Sequence, residues 1–190
     1  MTVFQFIMLA VSAFFAYKVY EHIQTLQDPK EADDGVYSDF NLDAMLQEAD
    51  DAMQGGDFQK ALAIYSEVNF KQKDDVEVLF KMGYALEQQN RDDEALEYYK
   101  DALKLDENNL FVLQATASLY RKMGEYASAR NYLNRLIDID ANNPITYYNY
   151  GNLLVDMKEY VTAKEMYKKA FELDENFTEA RREYENLRDI

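Results

Sequence analysis

Carboxylates are the most abundant side chains in this chain that could perform acid–base chemistry. Aspartate and glutamate make up 36 of its 190 residues, cysteine is absent, and His22 is the single histidine. Adjacent acids such as Asp50–Asp51 and Asp92–Asp93 would act as an acid–base pair only if both were buried in one site. Acids this frequent are expected on solvated surfaces, so the sequence indicates no catalytic residue.

One acidic stretch has the alternating spacing of a calcium-binding loop. It begins at Asp138 as "DIDANN", but such a loop requires glycine at its sixth position and glutamate at its twelfth. The chain has Asn143 and Asn149 there. Zinc sites built on cysteine are excluded, and the sequence contains neither a glycine-rich phosphate loop nor a G-x-S-x-G motif. We therefore expect no metal site, no cofactor and no enzymatic activity.

The net charge of −16 limits the partners that the chain can bind. A strongly acidic protein repels nucleic acid and anionic lipid headgroups. The negative charge is also distributed unevenly, because the segment from Asp28 to Phe58 has ten acidic residues and a single lysine. We expect no nucleic-acid partner for this chain.

A fixed interval organises most of the sequence. The near-copies "LKLDENN", "IDIDANN" and "FELDENF" begin at Leu103, Ile137 and Phe171, so that each begins 34 residues after the one before. Aligned on these stretches, the chain divides without insertions into four units, at residues 42–75, 76–109, 110–143 and 144–177. With only 6 glycines and 2 prolines, the composition favours long helices.

Small residues recur at two positions of the units, where they would let two helices approach closely. Gly83, Ala117 and Gly151 share one position, and Ala95, Ala129 and Ala163 share the other. Larger apolar residues lie one turn away. Each unit is therefore predicted to be a helical hairpin that buries only part of its apolar surface until a neighbouring hairpin stacks on it.

The near-copies are predicted to be the turns between successive hairpins. Leu105, Ile139 and Leu173 would be the last core residues of each second helix. The Asp and Asn residues after them are suited to turns, and Asn109 and Asn143 lie where the next helix needs an N-cap.

This helix–turn–helix period of 34 residues resembles the tetratricopeptide repeat. The second unit has Leu79, Gly83, Ala95, Tyr99 and Ala102 in the register of that family, whereas the first unit is degenerate on its first helix. The resemblance implies an all-α fold, a right-handed solenoid of four repeats over residues 42–177. Residues 178–190 have an amphipathic pattern and are predicted to form a capping helix.

The first helix of each unit has a second stripe opposite its core stripe, and large apolar residues recur there. In tetratricopeptide proteins this face lines a concave groove that binds peptides or helices. The resemblance therefore implies a groove with apolar anchors and cationic or polar contacts. The alternative is that these aromatic residues pack against adjacent hairpins. The candidate groove residues are Leu46, Asp50, Phe80, Lys81, Tyr84, Phe111, Gln114, Arg121, Lys122, Tyr148, Asn149, Asn152 and Val155.

The N-terminal segment suggests a membrane anchor. All but four of residues 1–20 are apolar, and a helix of that length spans about 30 Å, the thickness of a bilayer core. We expect a transmembrane helix over residues 1–20 and a polar, acidic linker over residues 21–41. Lys18 and Lys30 follow the apolar run, which favours repeats on the cytoplasmic side. A cleaved signal peptide or a helix buried against protein are the alternatives.

These features together predict a single-pass membrane protein that recruits protein or peptide partners in its groove. The arrangement resembles small N-terminally anchored repeat proteins of bacterial envelopes, which implies the bacterial inner membrane as its location. Two other functions remain open from the sequence. One is a self-associating scaffold whose repeats stack between copies as a homo-oligomer. The other is a periplasmic or secreted repeat domain released by cleavage.

Overall fold

The computed structural model describes residues 34–187, with side chains described from Leu42 onward. Within this range the chain forms nine helices and no strand. The helices are α1 (Asp34–Gln54), α2 (Phe58–Lys71), α3 (Val76–Gln88), α4 (Asp92–Leu105), α5 (Leu110–Lys122), α6 (Tyr126–Ile139), α7 (Pro144–Asp156), α8 (Tyr160–Leu173) and α9 (Thr178–Asn186). The chain divides into two units between Leu42 and Asp43, and the predicted repeats lie in the second unit apart from Leu42.

Helices pack in the order in which they occur along the chain. From α2 to α9 each helix contacts the next, and α5 also contacts α7, so that first helices of neighbouring hairpins touch. Apolar residues of α3 to α6 share one buried cluster with Leu153 of α7. The predicted all-α solenoid of stacked hairpins is thereby confirmed for the described part of the chain.

The recurring acidic turns form hydrogen bonds that end one helix and begin the next. Asn109 accepts the backbone N–H of Val112, and Asn143 accepts that of Ile145, so both predicted N-caps are confirmed. In the turns themselves, the side chain of Asp106 accepts the backbone N–H two residues later. Asp140 and Asp174 do the same in the next two turns. The repeated motif is therefore a structural turn.

The prediction that Leu105 and Ile139 close the hairpin cores is wrong. Leu105 is 44% exposed and Ile139 is 40% exposed. Each is the last residue of its helix, and the side chains that complete the core are Leu103 and Leu136, which lie earlier in α4 and α6. Leu173 differs because it packs against the apolar cluster that includes a residue of α9.

Part of the predicted linker is helical. Helix α1 begins at Asp34, so residues 34–41, which we assigned to the linker, are helical. The predicted transmembrane segment, residues 1–20, and the rest of the linker lie outside the described residues. None of the helices described is both long and apolar enough to span a bilayer.

Two glycines allow the helices of a hairpin to touch. A Cβ atom at Gly83 would lie 2.5 Å from Cε1 of Tyr99, and one at Gly151 would lie 2.5 Å from Cε1 of Tyr167. Both tyrosine rings are buried, so neither can move aside without disturbing the core. The third unit has Ala117 at the equivalent position.

Substituting alanine for Gly83 should test this contact. Alanine gains about 1 kcal/mol in helix propensity, but overpacking against a buried ring typically costs about 1–3 kcal/mol. We expect G83A to lower the free energy of unfolding, measured by urea denaturation. The double variant G83A/Tyr99→Leu reproduces the Ala117–Leu133 pair of the third unit, so its loss should be smaller than the sum of the single losses. A stabilised G83A protein would show that no close contact exists there.

Candidate peptide-binding groove

Three large apolar side chains of the first helices are exposed to solvent. Phe111 is 77% exposed, Ile145 is 53% exposed and Tyr84 is 41% exposed. Phe111 and Ile145 occupy the same place, the second residue of α5 and of α7. Ile145 was not among the predicted anchors, although its register with Phe111 could have identified it. Apolar surface that recurs at one repeat position is available to a partner.

Other predicted anchors are partly used by the fold. The ring of Phe80 stacks on Tyr99 with centroids 5.8 Å apart. Tyr148 lies against Tyr167 and Phe177, at centroid distances of 5.7 Å and 5.0 Å. Phe80 and Tyr148 therefore contact the second helix of their own hairpins, and Tyr148 also packs against Phe177, beyond its hairpin. The expected alternative, packing against an adjacent element, applies to Tyr148. Leu46 and Val155 are likewise partly buried.

An open cleft of about 520 Å³ separates the beginnings of α3 and α5. Phe80 forms one wall and Phe111 another, and Val76 and Val112 add further apolar surface. The predicted groove residue Lys81 also lines it. This cleft is large enough to seat an apolar side chain of a ligand.

The two predicted cationic contacts are engaged in ion pairs within the chain. Arg121 Nη1 lies 2.9 Å from Asp156 Oδ2, and Lys122 Nζ lies 2.7 Å from Asp92 Oδ1. Both pairs are partly exposed, so each contributes little stability. These ion pairs nevertheless cancel the positive charges of Arg121 and Lys122, which we expected to contact a ligand.

Asp50 is the centre of a charged cluster between the first two hairpins. It accepts a hydrogen bond from the hydroxyl of Tyr65, and Lys81 Nζ lies 2.9 Å from its Oδ1. Lys81 also lies 2.7 Å from Glu77. Burial alone would raise the pKa of Asp50, but the hydrogen bonds from Lys81 and Tyr65 and the charge of Lys81 together lower it. This carboxylate is thus neutralised by its own chain.

Tyrosines of the second helices extend to the groove face, which the sequence analysis did not foresee. Besides Tyr65, the hydroxyl of Tyr99 donates to Glu87 at 2.9 Å, and that of Tyr167 donates to Asn152 at 2.8 Å. Burial, with the acidic groups nearby, raises the pKa of Tyr99 and of Tyr167, so both remain donors. The three tyrosines share one repeat position, the only sign of this role in the sequence.

The remaining predicted residues, Gln114 and Asn149, meet between α5 and α7. Both are partly buried, and they line a small depression together with Ser118, Arg121 and Leu133. Leu133 occupies the repeat position that holds tyrosine in the other three units.

Three tetratricopeptide-repeat family models match the chain, over residues 46–109, 93–149 and 145–177. Together they cover residues 46–177, well over half of the sequence. The chain therefore belongs to the tetratricopeptide-repeat family.

Solved structures of other tetratricopeptide-repeat proteins are similar in fold. One from Parabacteroides merdae ATCC 43184 has a TM-score of 0.70 at 25% identity, over 77% of this chain and 58% of that one. This chain thus spans less than two thirds of the Parabacteroides protein. MamA has a TM-score of 0.66 at 25% identity, over 74% of this chain and 86% of its own.

YrrB, described as a TPR protein with an unusual peptide-binding site, has a TM-score of 0.66 at 16% identity, over 74% of this chain and 73% of its own. A likeness at that identity concerns the fold. None of the curated protein sequences matches the chain significantly.

The Asp50 cluster makes stability depend on pH in a defined direction. The pKa of Asp50 is lower in the folded chain than its unfolded value of about 3.9. The contribution of Asp50 to the free energy of unfolding is therefore complete above the unfolded pKa and is lost as the pH falls through the folded pKa. Asp50→Asn should therefore cost about 1 kcal/mol at pH 7, in line with a partly exposed ion pair. The gap between the variant and wild type should narrow as the pH falls below about 3.9 and should close once the pH is below the folded pKa of Asp50, as followed by urea unfolding.

Asp43→Asn provides the matched control, because Asp43 lies on the same helix and is exposed. It should change the unfolding free energy by less than about 0.5 kcal/mol at either pH. A cost of Asp50→Asn that does not vary between pH 7 and pH 3 would contradict the role of the ionised carboxylate.

Proposed function

We propose that the repeats form a docking module that binds a peptide segment of partner proteins along the face of α3, α5 and α7. The observation that carries this proposal is the exposure of Tyr84, Phe111 and Ile145 on the first helices. These side chains contribute little to the core, and exposed apolar surface of this kind marks interaction sites.

Charge distribution supports the part of this face that α5 and α7 form. Helix α5 has no acidic residue and α7 has one, Asp156, which is paired with Arg121. In a chain of net charge −16, a neutral stretch is the part that an approaching peptide contacts without repulsion. The peptide-binding site of YrrB, a protein of the same fold, is consistent with this use of the architecture, although fold alone does not define function.

We further propose that residues 1–20 anchor the module in a bilayer, with the repeats on the cytoplasmic side of a bacterial inner membrane. The support is the length and apolar composition of that segment, together with Lys18 near its C-terminal end and Lys30 after it. Partners captured by the repeats would then be concentrated at the membrane surface.

The groove is tested with peptides selected on the wild-type protein from a random display library. Synthetic copies carrying a fluorophore should bind the variant Tyr84→Ser/Phe111→Ser/Ile145→Ser at least tenfold more weakly, because buried aromatic anchors each contribute about 1–3 kcal/mol to binding. Fluorescence anisotropy measures the affinities. All three side chains are exposed, so the variant should retain the helical circular dichroism and melting temperature of wild type.

Phe70→Ser/Val161→Ser is the matched control. Phe70 is 80% exposed and Val161 is 79% exposed, but both lie on second helices, so the affinity should not change. Equal binding by the groove variant and wild type would refute the docking face. A light-scattering mass that rises with concentration in wild type and not in the groove variant would instead assign the face to self-association.

The anchor is tested by extraction of membranes with alkaline carbonate. The full chain should remain with the membrane, whereas Ile7→Asp/Val11→Asp should be released, because a charge near the bilayer centre costs about 2.5–3.5 kcal/mol per residue. Gln24→Asp/Gln27→Asp, in the predicted linker, is the control and should stay membrane-bound. Release of the wild-type chain would refute the anchor, and N-terminal sequencing of the bound form distinguishes a retained helix from a cleaved signal peptide.

A further inference from the structure

The first repeat reverses a pattern that the other three repeats share near the end of the second helix. In those three repeats an apolar residue is followed by a charged one, as Leu103–Lys104, Ile137–Asp138 and Phe171–Glu172. The first repeat has Asn69 followed by Phe70 at these positions. The three charged residues are exposed to solvent. Phe70 occupies the place of these charged residues and is 80% exposed.

The reversal places an open cleft beside Phe70. The apolar counterparts of Asn69 in the other repeats are buried or packed against apolar clusters. The smaller Asn69 instead lines a cleft of about 470 Å³ between α2 and α4. Leu79 and Met82 of α3 are buried and form its floor, while Phe70 and the 44% exposed Leu105 line its sides. The cleft is large enough to hold an aromatic side chain.

A projecting ring next to a recess makes this surface self-complementary. A single exposed phenylalanine is common on protein surfaces and by itself indicates nothing. Phe70, however, lies at the edge of a recess that could hold another such ring. In a two-fold dimer both copies use the same surface, so each ring can enter the cleft of the other copy.

The charges around the cleft are balanced, although the chain has a net charge of −16. Four charged side chains line it, two of each sign: Lys73, Lys104, Asp74 and Asp101. Lys104 Nζ lies 2.7 Å from Asp101 Oδ1, and both side chains are at least half exposed. The neighbouring Glu67 is paired with Lys71. Two copies that repel each other through their net charge can approach at this balanced surface, where lysines of one copy can face aspartates of the other.

We propose that a second copy of this chain docks on the face of α2 and α4, in a two-fold dimer in which Phe70 of each copy inserts into the cleft of the other. This face lies on second helices, whereas the proposed peptide-binding face lies on first helices, so the inference does not depend on peptide binding. A dimer would present two grooves at once, which strengthens the binding of partners that contain more than one docking segment.

Crosslinking through a single cysteine tests the contact directly, because the chain has no cysteine of its own. Ser66→Cys places a thiol at an exposed position that lines the cleft. A short bismaleimide should join two copies of this full-length variant in mild detergent. Adding Phe70→Lys should lower the yield at least fivefold. Lysine is tolerated at this repeat position, since the second repeat has Lys104 there.

Lys168→Cys is the matched control for crosslinking. Lys168 is exposed and occupies the position of Ser66 in the fourth repeat, so its yield should be low and should not change with Phe70→Lys. A yield for Ser66→Cys that equals that of Lys168→Cys, or that Phe70→Lys leaves unchanged, would overturn the proposed dimer.

Sedimentation equilibrium of the full chain in density-matched detergent measures the strength of the dimer. The mass should rise with concentration and level off at that of a dimer. Phe70→Lys should raise the dissociation constant at least tenfold, because the ring is the buried anchor of the interface. Val161→Lys introduces the same charge at a position that is 79% exposed and should dimerise as wild type does. A monomer at every concentration, or a mass that continues to rise beyond the dimer, would contradict the two-fold contact.

Reversal of the lysines tests the balance of charge. Lys73→Glu/Lys104→Glu makes the cleft surface acidic on both copies and should weaken the dimer at least tenfold. Lys168→Glu/Lys169→Glu changes the net charge equally at exposed positions of α8 and should have a much smaller effect. Equal weakening by both variants would show a general effect of net charge and would remove the argument for this face.

The dimer and the peptide-binding groove can fail separately. The variant Tyr84→Ser/Phe111→Ser/Ile145→Ser should dimerise as wild type does, and Phe70→Lys should bind the selected peptides with unchanged affinity. Loss of dimerisation in the groove variant would instead place the contact on the first helices and overturn the inference.

Discussion

The close contact between a glycine on one helix and a tyrosine on the next is the constraint on which the second and fourth hairpins depend. The ring of Tyr99 lies against Gly83, and that of Tyr167 lies against Gly151. Each ring occupies the space that a Cβ atom on the glycine would need. This contact fixes how near the helices of a hairpin lie, and the small buried alanines of the second helices extend the approach along the interface. Dense packing makes the arrangement intolerant of even one added methyl group.

The same tyrosines connect the core with the surface. Each ring is buried, but its hydroxyl ends among the polar side chains of the first helices, where Glu87 and Asn152 accept from two of them. Their raised pKa keeps the hydroxyls protonated, so they act as fixed donors. A residue that fills the core thereby also holds the side chains of Glu87 and Asn152 in place on the first helices.

Periodicity allowed much of the fold to be anticipated from sequence. The four hairpins, the N-caps at Asn109 and Asn143 and the acidic turns follow from local patterns, because each depends on residues within one helix or turn. The exposure of the groove aromatics did not follow. A helical period places Phe80 and Phe111 on the same kind of face, but only the packing of neighbouring elements determines that Phe80 stacks on Tyr99 while Phe111 is exposed.

The ion-pair partners of the charged groove residues could not be anticipated from sequence for the same reason. Arg121 meets Asp156 across two first helices, and Lys81 meets Asp50 in the same manner. Such pairs join residues about one repeat apart, so they depend on how hairpins stack and not on any local pattern. The helical conformation of residues 34–41 was not anticipated because their polar, acidic composition resembles a linker, whereas proline and asparagine mark the start of α7.

Repeat architecture explains how a single unit can differ without harming the others. In such a stack each hairpin contacts mainly its neighbours, so stability is close to a sum of unit and interface contributions. Leu133 can therefore occupy the position of a buried tyrosine in the third unit, with Ala117 at the position that is glycine in the second and fourth units, and the effect stays within that hairpin and its neighbours.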